Sequence, residues 1–307
     1  MACGRGKAAN IYIKSQERMV GNMNQKRLGY LYLVITFIIW GSIYVVAKYA
    51  LAVIPPLTVL LGRYALSVLI LYVILKKKGM KKIERADRKY FVIIGGVGYF
   101  VSIGFQLIGT NLLDASLASL INALNPVFIP LIAALVLKER VSLRRIAGIA
   151  VSVAGVYAIL GVGGGELSLA GIAASICSVT FWSVSSVMVR KVAGKYDPIQ
   201  IAFVGMAIAL CFNIPASIWE LCTTPCRFTL PAVLSLIYLA VICTALAHTL
   251  WNKSLQLLSA GTCSMLYPLQ PLTSAVLGVL LLHEQITTGF VIGAVVISAG
   301  ILIAVKE

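Results

Sequence analysis

The chain has 307 residues, 60% of them hydrophobic and 12% charged, with a formal net charge of +16. A soluble globular domain carries about 25% charged residues, so the composition excludes an ordinary water-soluble domain. The charges also lie in short intervals separated by long apolar runs.

Residues 1–27 are polar and lack the apolar core of a cleavable signal peptide, so they are expected to form a disordered cytoplasmic tail. Apolar runs follow at 28–47, 57–75, 90–113, 115–137, 146–165, 167–189, 198–219, 228–252, 254–282 and 285–305. Two of them carry an interruption, Arg63 in the second and His248 in the eighth. A helix crosses a hydrocarbon core of about 30 Å with about 20 residues. The sequence therefore predicts an all-α integral membrane protein with ten transmembrane helices.

Counted on alternate sides of these spans, 23 of the 26 Lys and Arg residues fall on one side. That is the positive-inside asymmetry, and it predicts that both termini are cytoplasmic. The same count explains the net charge as a topology signal, so nucleic acid is not an expected partner. Cys222 and Cys226 share the external loop "ELCTTPCR", where a disulfide is one option. No set of metal ligands is grouped in the sequence, and neither a metal nor a cofactor is expected.

The chain repeats itself. Trp40 and Lys48 recur as Trp182 and Arg190, Gly29 as Gly171 and Pro56 as Pro198, all shifted by 142. Pro126, Glu139, Gly148 and Gly155 recur as Pro271, Glu284, Gly293 and Gly300, shifted by 145. Five spans per copy is an odd number, so the second copy enters the membrane from the opposite side. The expectation is two inverted five-helix repeats, 28–162 and 167–305, with a binding site near the midplane between them.

The segments "WGSIYVVAKYAL", "NPVFIPLIAALVLKE" and "AGIAVSVAGVYAIL", with the Arg63-Tyr64 pair, resemble the EamA family of the drug/metabolite transporter superfamily. The resemblance covers about residues 28–305. It implies a carrier of the bacterial inner membrane that exports amino acids or related metabolites.

Several groups are candidates for a substrate site. Spans four and nine are broken by Pro126 and Pro130 and by Pro268 and Pro271, beside the polar groups of Asn122, Asn125, Tyr267 and Gln270. Proline removes a backbone donor and frees a carbonyl; the amides either line a cavity or repair the broken ladder. Helical spacing aligns Trp40, Tyr44 and Lys48 with Phe37 in span one, and Trp182, Ser186 and Arg190 in span six. It aligns Tyr99 and Gln106 with Ser102 in span three, and His248 and Trp251 with Thr244 in span eight. Lys48 and Arg190 sit near span ends and are read as snorkelling or gating groups.

Arg63 lies about two turns inside span two, and its counterpart in the second copy is Gly205. A charge at such depth marks a pathway or a partner; a substrate carboxylate and carbonyls freed near Pro126 are both options. Asp114, Glu139 and Glu284 lie at span ends; Glu139 and Glu284 precede spans five and ten and are read as structural acids at helix N-termini. With no acid in mid-span, exchange of protons for cationic drugs is disfavoured. A carboxylate or zwitterionic metabolite is the expected substrate, moved outward by alternating access; an uptake carrier of the same fold is the alternative. A polytopic membrane enzyme would need an acid pair or a nucleophile motif in a span, and none is present, so no catalytic residue is expected. Besides the substrate, membrane lipid is the expected partner, with monomer and homodimer both open.

Overall fold

The structure is a computed structural model. It describes residues 3–137, 143–144, 146–148, 150–151, 154–155, 168–258, 263 and 266–305. Among the described residues the secondary structure is helical, with no strand. Helix α1 spans Cys3–Leu51 and α2 Pro56–Lys78. Helix α3 runs over Arg85–Leu112, α4 over Ala115–Asn122 and α5 over Asn125–Leu137. In the second half, α6 spans Leu169–Ala193, α7 Pro198–Thr223, α8 Leu230–Leu257, α9 Leu269–Leu282 and α10 Thr288–Val305.

Among the described residues seven stretches are long and apolar enough to cross a membrane: Gln25–Leu51, α2, α3, Ala115–Ile132 across α4 and α5, α6, α7 and α8. Helices α9 and α10 are apolar but shorter. The chain is thus a multi-pass membrane protein. Most of the fifth expected span, and residues 259–262 and 264–265 of the ninth, lie outside the described residues. Glu139 lies there as well. Helical backbone continues upstream of the first span to Cys3, through the polar segment that no proline interrupts.

Helix starts follow local chemistry. Pro56, Pro198 and Pro231 sit in the first turns of α2, α7 and α8, where a missing N–H costs nothing. Asp197 caps α7 by accepting from the Ile199 N–H at 2.9 Å. Cys222 and Cys226 are both free thiols, so no disulfide joins them.

The two halves pack mainly on each other. Helix α1 lies on α8 and α9, α2 on α7, α3 on α6 and α7, and α5 on α6. At one end, the loop after α2 is tied to the turn before α7. Lys78 pairs with Asp197, Lys195 Nζ reaches Asp87 at 3.1 Å, and Gln200 and Lys81 exchange two hydrogen bonds. The Asp87 carboxylate holds the Lys195 ammonium above its ordinary range. This end carries the basic loops. At the opposite end, the Arg227 N–H donates to the Val53 carbonyl at 2.9 Å.

Two helices widen into π-helix, α3 at Ile93–Ser102 and α8 at Leu239–Leu246. Extra width leaves backbone carbonyls without their usual partners. Tyr64 OH donates to the Tyr99 carbonyl at 2.6 Å, and Thr244 Oγ1 to the Leu239 carbonyl at 2.7 Å. Such segments gather at functional sites; here Ser102, the last residue of the first, and His248, two residues past the second, line the same cavity.

Candidate functional site: a central cavity

A small cavity of about 30 Å³ lies between the halves. Trp40, Tyr44, Arg63, Gln106, Asn122, Asn125, Trp182, His248, Tyr267 and Gln270 line it, all of them candidates from the sequence. Four lining residues were not among those candidates: Ile43, Ser102, Ile103 and Ser178. The face shared with Gln106 pointed to Ser102, but nothing in the sequence marks the two isoleucines or Ser178.

Three candidates stand behind the wall. Trp251 packs on Phe37 and Trp40, with ring centroids 5.9 and 5.4 Å apart. Tyr99 stacks on Trp182 at 6.1 Å. Ser186 donates back to the Trp182 carbonyl at 2.9 Å and does not reach the cavity. Lys48 and Arg190 sit at opposite ends, as their positions imply. Lys48 Nζ lies 3.4 Å from the Asn111 carbonyl, and Arg190 is exposed at the basic end.

Arg63 is fully buried. Its Nε and Nη2 both donate to Thr244 Oγ1, at 3.1 and 3.0 Å, rather than to carbonyls near Pro126. Its Nη1 has no partner. Among the described residues no carboxylate lies within salt-bridge distance of it. A buried cation without an anion is costly by several kcal/mol. The cavity therefore offers a site whose electrostatics favour an incoming negative group.

Acceptors are present too. Tyr44 OH receives hydrogen bonds from Gln106 Nε2 at 2.8 Å and Gln270 Nε2 at 3.0 Å. Both amide oxygens are left without partners, as are Trp40 Nε1 and His248 Nε2. Buried polar atoms are normally satisfied, so five open atoms around one cavity mark where a polar ligand would bond. His248 is held by its Nδ1, 3.1 Å from the Thr244 carbonyl. Its ring stands edge-on between Trp40, Tyr99 and Trp182, with centroids 5.5, 5.2 and 5.7 Å away.

The broken helices split the two readings of their amides. Asn122 Nδ2 donates to the Ala118 carbonyl at 3.0 Å and Asn125 Nδ2 to the Asn122 carbonyl at 2.7 Å, so these amides repair the break between α4 and α5. Gln270 does not repair its helix and reaches across to Tyr44. Pro126 opens α5 and Pro130 lies inside it, while Pro268 stands at the N-cap of α9 with Pro271 in its first turns.

Glu284 departs from the sequence reading, and Glu220, which the sequence did not single out, plays a matching part. Glu284 was expected to serve the N-terminus of the span that follows it. Instead it accepts from the Ala115 and Ser116 N–H groups at 2.6 and 3.1 Å and from Ser116 Oγ at 2.7 Å, at the start of α4. Glu220 does the same for α2, accepting from the Leu57 and Thr58 N–H groups at 3.1 and 2.7 Å and Thr58 Oγ1 at 2.9 Å. Burial and the Glu284 charge raise the Asp114 carboxyl above its ordinary range, against the pull of Lys48.

A helical membrane protein with a cavity lined by polar groups between its halves fits the class of small-molecule carriers. The profile of the EamA-like transporter family matches it twice, over residues 27–161 and 169–306, and the chain belongs to that family. The family sits in the drug/metabolite transporter superfamily, and its members here are transporters, not enzymes. The uncharacterized transporter YvbV of Bacillus subtilis (strain 168) is 26% identical over 268 residues, covering 86% of this chain and 87% of YvbV. An uncharacterized transporter of Archaeoglobus fulgidus is 25% identical over 290 residues, 93% of this chain and 99% of its own. A Salmonella typhimurium (strain LT2) protein named "Probable amino-acid metabolite efflux pump" is 24% identical over 294 residues, 90% of this chain and 94% of its own. A solved crystal structure shares the fold with a TM-score of 0.65 at 18% identity, covering 92% of this chain and 96% of the other.

Proposed function

We propose that the chain is a secondary carrier that exports a small carboxylate or zwitterionic metabolite, such as an amino acid, by alternating access across the inner membrane. Its ten spans form two inverted five-helix halves with both termini in the cytoplasm. The observation that carries the substrate class is Arg63, a buried cation whose Nη1 is open and which has no described carboxylate partner. A substrate carboxylate bonds Nη1 and Trp40 Nε1, and an ammonium group bonds the free oxygens of Gln106 and Gln270. The indole and phenol rings of Trp40, Trp182 and Tyr267 cover the rest of the molecule.

The orientation rests on the basic loops, and the inversion on the odd span count of the duplicated halves. The efflux direction draws on the name of the Salmonella relative. Inverted vesicles containing the overproduced protein test the reading. Radiolabelled amino acids should accumulate inside them, above vesicles lacking the protein. Loss of the difference when the proton gradient is collapsed would identify proton coupling. Accumulation in right-side-out vesicles instead would indicate an uptake carrier.

A further inference from the structure

Glu220 and Glu284 make the same kind of joint, yet their surroundings differ. Each carboxylate comes from the second half and accepts two successive N–H groups and a hydroxyl from a helix start in the first half. Such charge-assisted bonds are strong and directional. The α2 joint has no substitute. Its N-cap is Pro55, which has no side-chain acceptor. Asn213 Nδ2 and Ser217 Oγ of α7 also hold the Leu57 carbonyl, at 3.0 and 2.8 Å, and Lys78 fixes the far end of α2 to Asp197.

The α4 joint does have a substitute. Its N-cap is Asp114, one of the preferred capping residues, and Asp114 makes no side-chain cap bond. Glu284 holds the Ala115 and Ser116 N–H groups in its place. The Glu284 side is built for the contact. A Cβ on Gly278 would lie 2.5 Å from Glu284 Oε2, so a side chain there would push the carboxylate out of its present position. The preceding residue, His283, has φ of 56°, a left-handed backbone that L-residues rarely adopt. Besides the carboxylate, Ser274 Oγ of α9 reaches the Ala115 carbonyl at 3.0 Å.

We propose that the Glu284–α4 joint is the gate at the end of the molecule opposite the basic loops, and that it opens by exchange of caps. When α9 and α4 part, Asp114 caps α4 in its turn, taking the Ser116 N–H that Glu284 releases. Opening then replaces part of the bonding that Glu284 gave, water in the open mouth takes the rest, and the closed and open forms stay close in free energy. The Glu220–α2 joint lacks such an exchange and stays made, so α2 and α7 move together. This rests on reading the central cavity as the transport site. Lys48, near Asp114 and Glu284 in charge, stands at the same mouth.

The test is site-resolved accessibility in the full chain. Ser102→Cys places a thiol on the cavity wall, and a membrane-impermeant maleimide is added to right-side-out vesicles without substrate. Labelling at that position is read by peptide mass spectrometry. Glu284→Ala should raise the labelling rate roughly tenfold, and Glu284→Gln, which keeps one neutral acceptor, by less. Asp114→Ala should lower it several-fold, because the open form loses its cap. Glu220→Ala should not raise it. Unchanged labelling in both Glu284 variants, a rise in Asp114→Ala, or an equal rise in Glu220→Ala would each overturn the proposal. Labelling needs no substrate, so a wrong substrate class would show as absent flux with this pattern intact.

Discussion

Arg63 and Thr244 bind the two halves together in the cavity wall: Nε and Nη2 of the guanidinium share one hydroxyl, at 3.1 and 3.0 Å. The hydroxyl is available there because the π-helical turn of α8 lets it donate to the Leu239 carbonyl five residues back. Thr244→Val keeps the shape and leaves two guanidinium N–H groups without an acceptor. Hydrogen bonds to charged groups contribute about 1.5–3 kcal/mol, so transport should fall roughly tenfold or more. The check is flux into inverted vesicles at matched protein level.

Tyr44 carries a second junction, since Gln106 from the first half and Gln270 from the second both donate to its hydroxyl. Tyr44→Phe retains the ring and removes the shared acceptor. Both amides then rotate freely and their oxygens no longer point in a fixed direction. We expect the apparent KM for substrate to rise roughly tenfold and the melting temperature to fall, because two buried amide donors lose their acceptor. Initial rates over a range of substrate concentrations measure it.

Gly41 sets the distance between α1 and α9. A Cβ there would lie 2.6 Å from the Gln270 carbonyl oxygen and 2.6 Å from Thr273 Cβ. Gly41→Ala should cost about 1–3 kcal/mol through forced separation of the helices and displace Gln270 from Tyr44. Gly194→Ala is the matched control, because its Cβ would meet nothing within 4 Å. Melting curves of the two purified variants in detergent should separate clearly, with only Gly41→Ala shifted down.

Topology is open to a direct check. Reporters fused after Gly79 and after Thr224 should score cytoplasmic and external, respectively. The two loops are matched by the repeat, so opposite locations are what inversion requires. A cytoplasmic score at both sites would contradict it.

Apolar run length carried most of the fold, because bilayer thickness dictates it. The cavity was legible where polar groups recur at helical spacing in apolar helices: Trp40 with Tyr44, Gln106, Trp182 and His248. Proline marked the breaks beside Asn122, Asn125 and Gln270. It could not distinguish amides that mend their own helix from one that crosses to Tyr44, because that depends on which carbonyl lies within reach. Trp251 and Tyr99 share the faces of lining residues but sit one layer back, a difference of depth that spacing does not encode. The π-helical segments and the reach of Glu220 and Glu284 to distant helix starts are set by packing between the halves. Local propensity carries no trace of them.

The central claim is that Arg63 receives the substrate carboxylate. Purified protein in proteoliposomes, loaded with a radiolabelled amino acid, gives the most direct measurement when wild type, Arg63→Lys and Arg63→Met are compared. The account predicts loss of flux in the methionine variant with a monodisperse, folded protein. The lysine variant should keep partial flux if charge suffices and lose it if the planar fork is needed. Near-normal flux in Arg63→Met would contradict the claim.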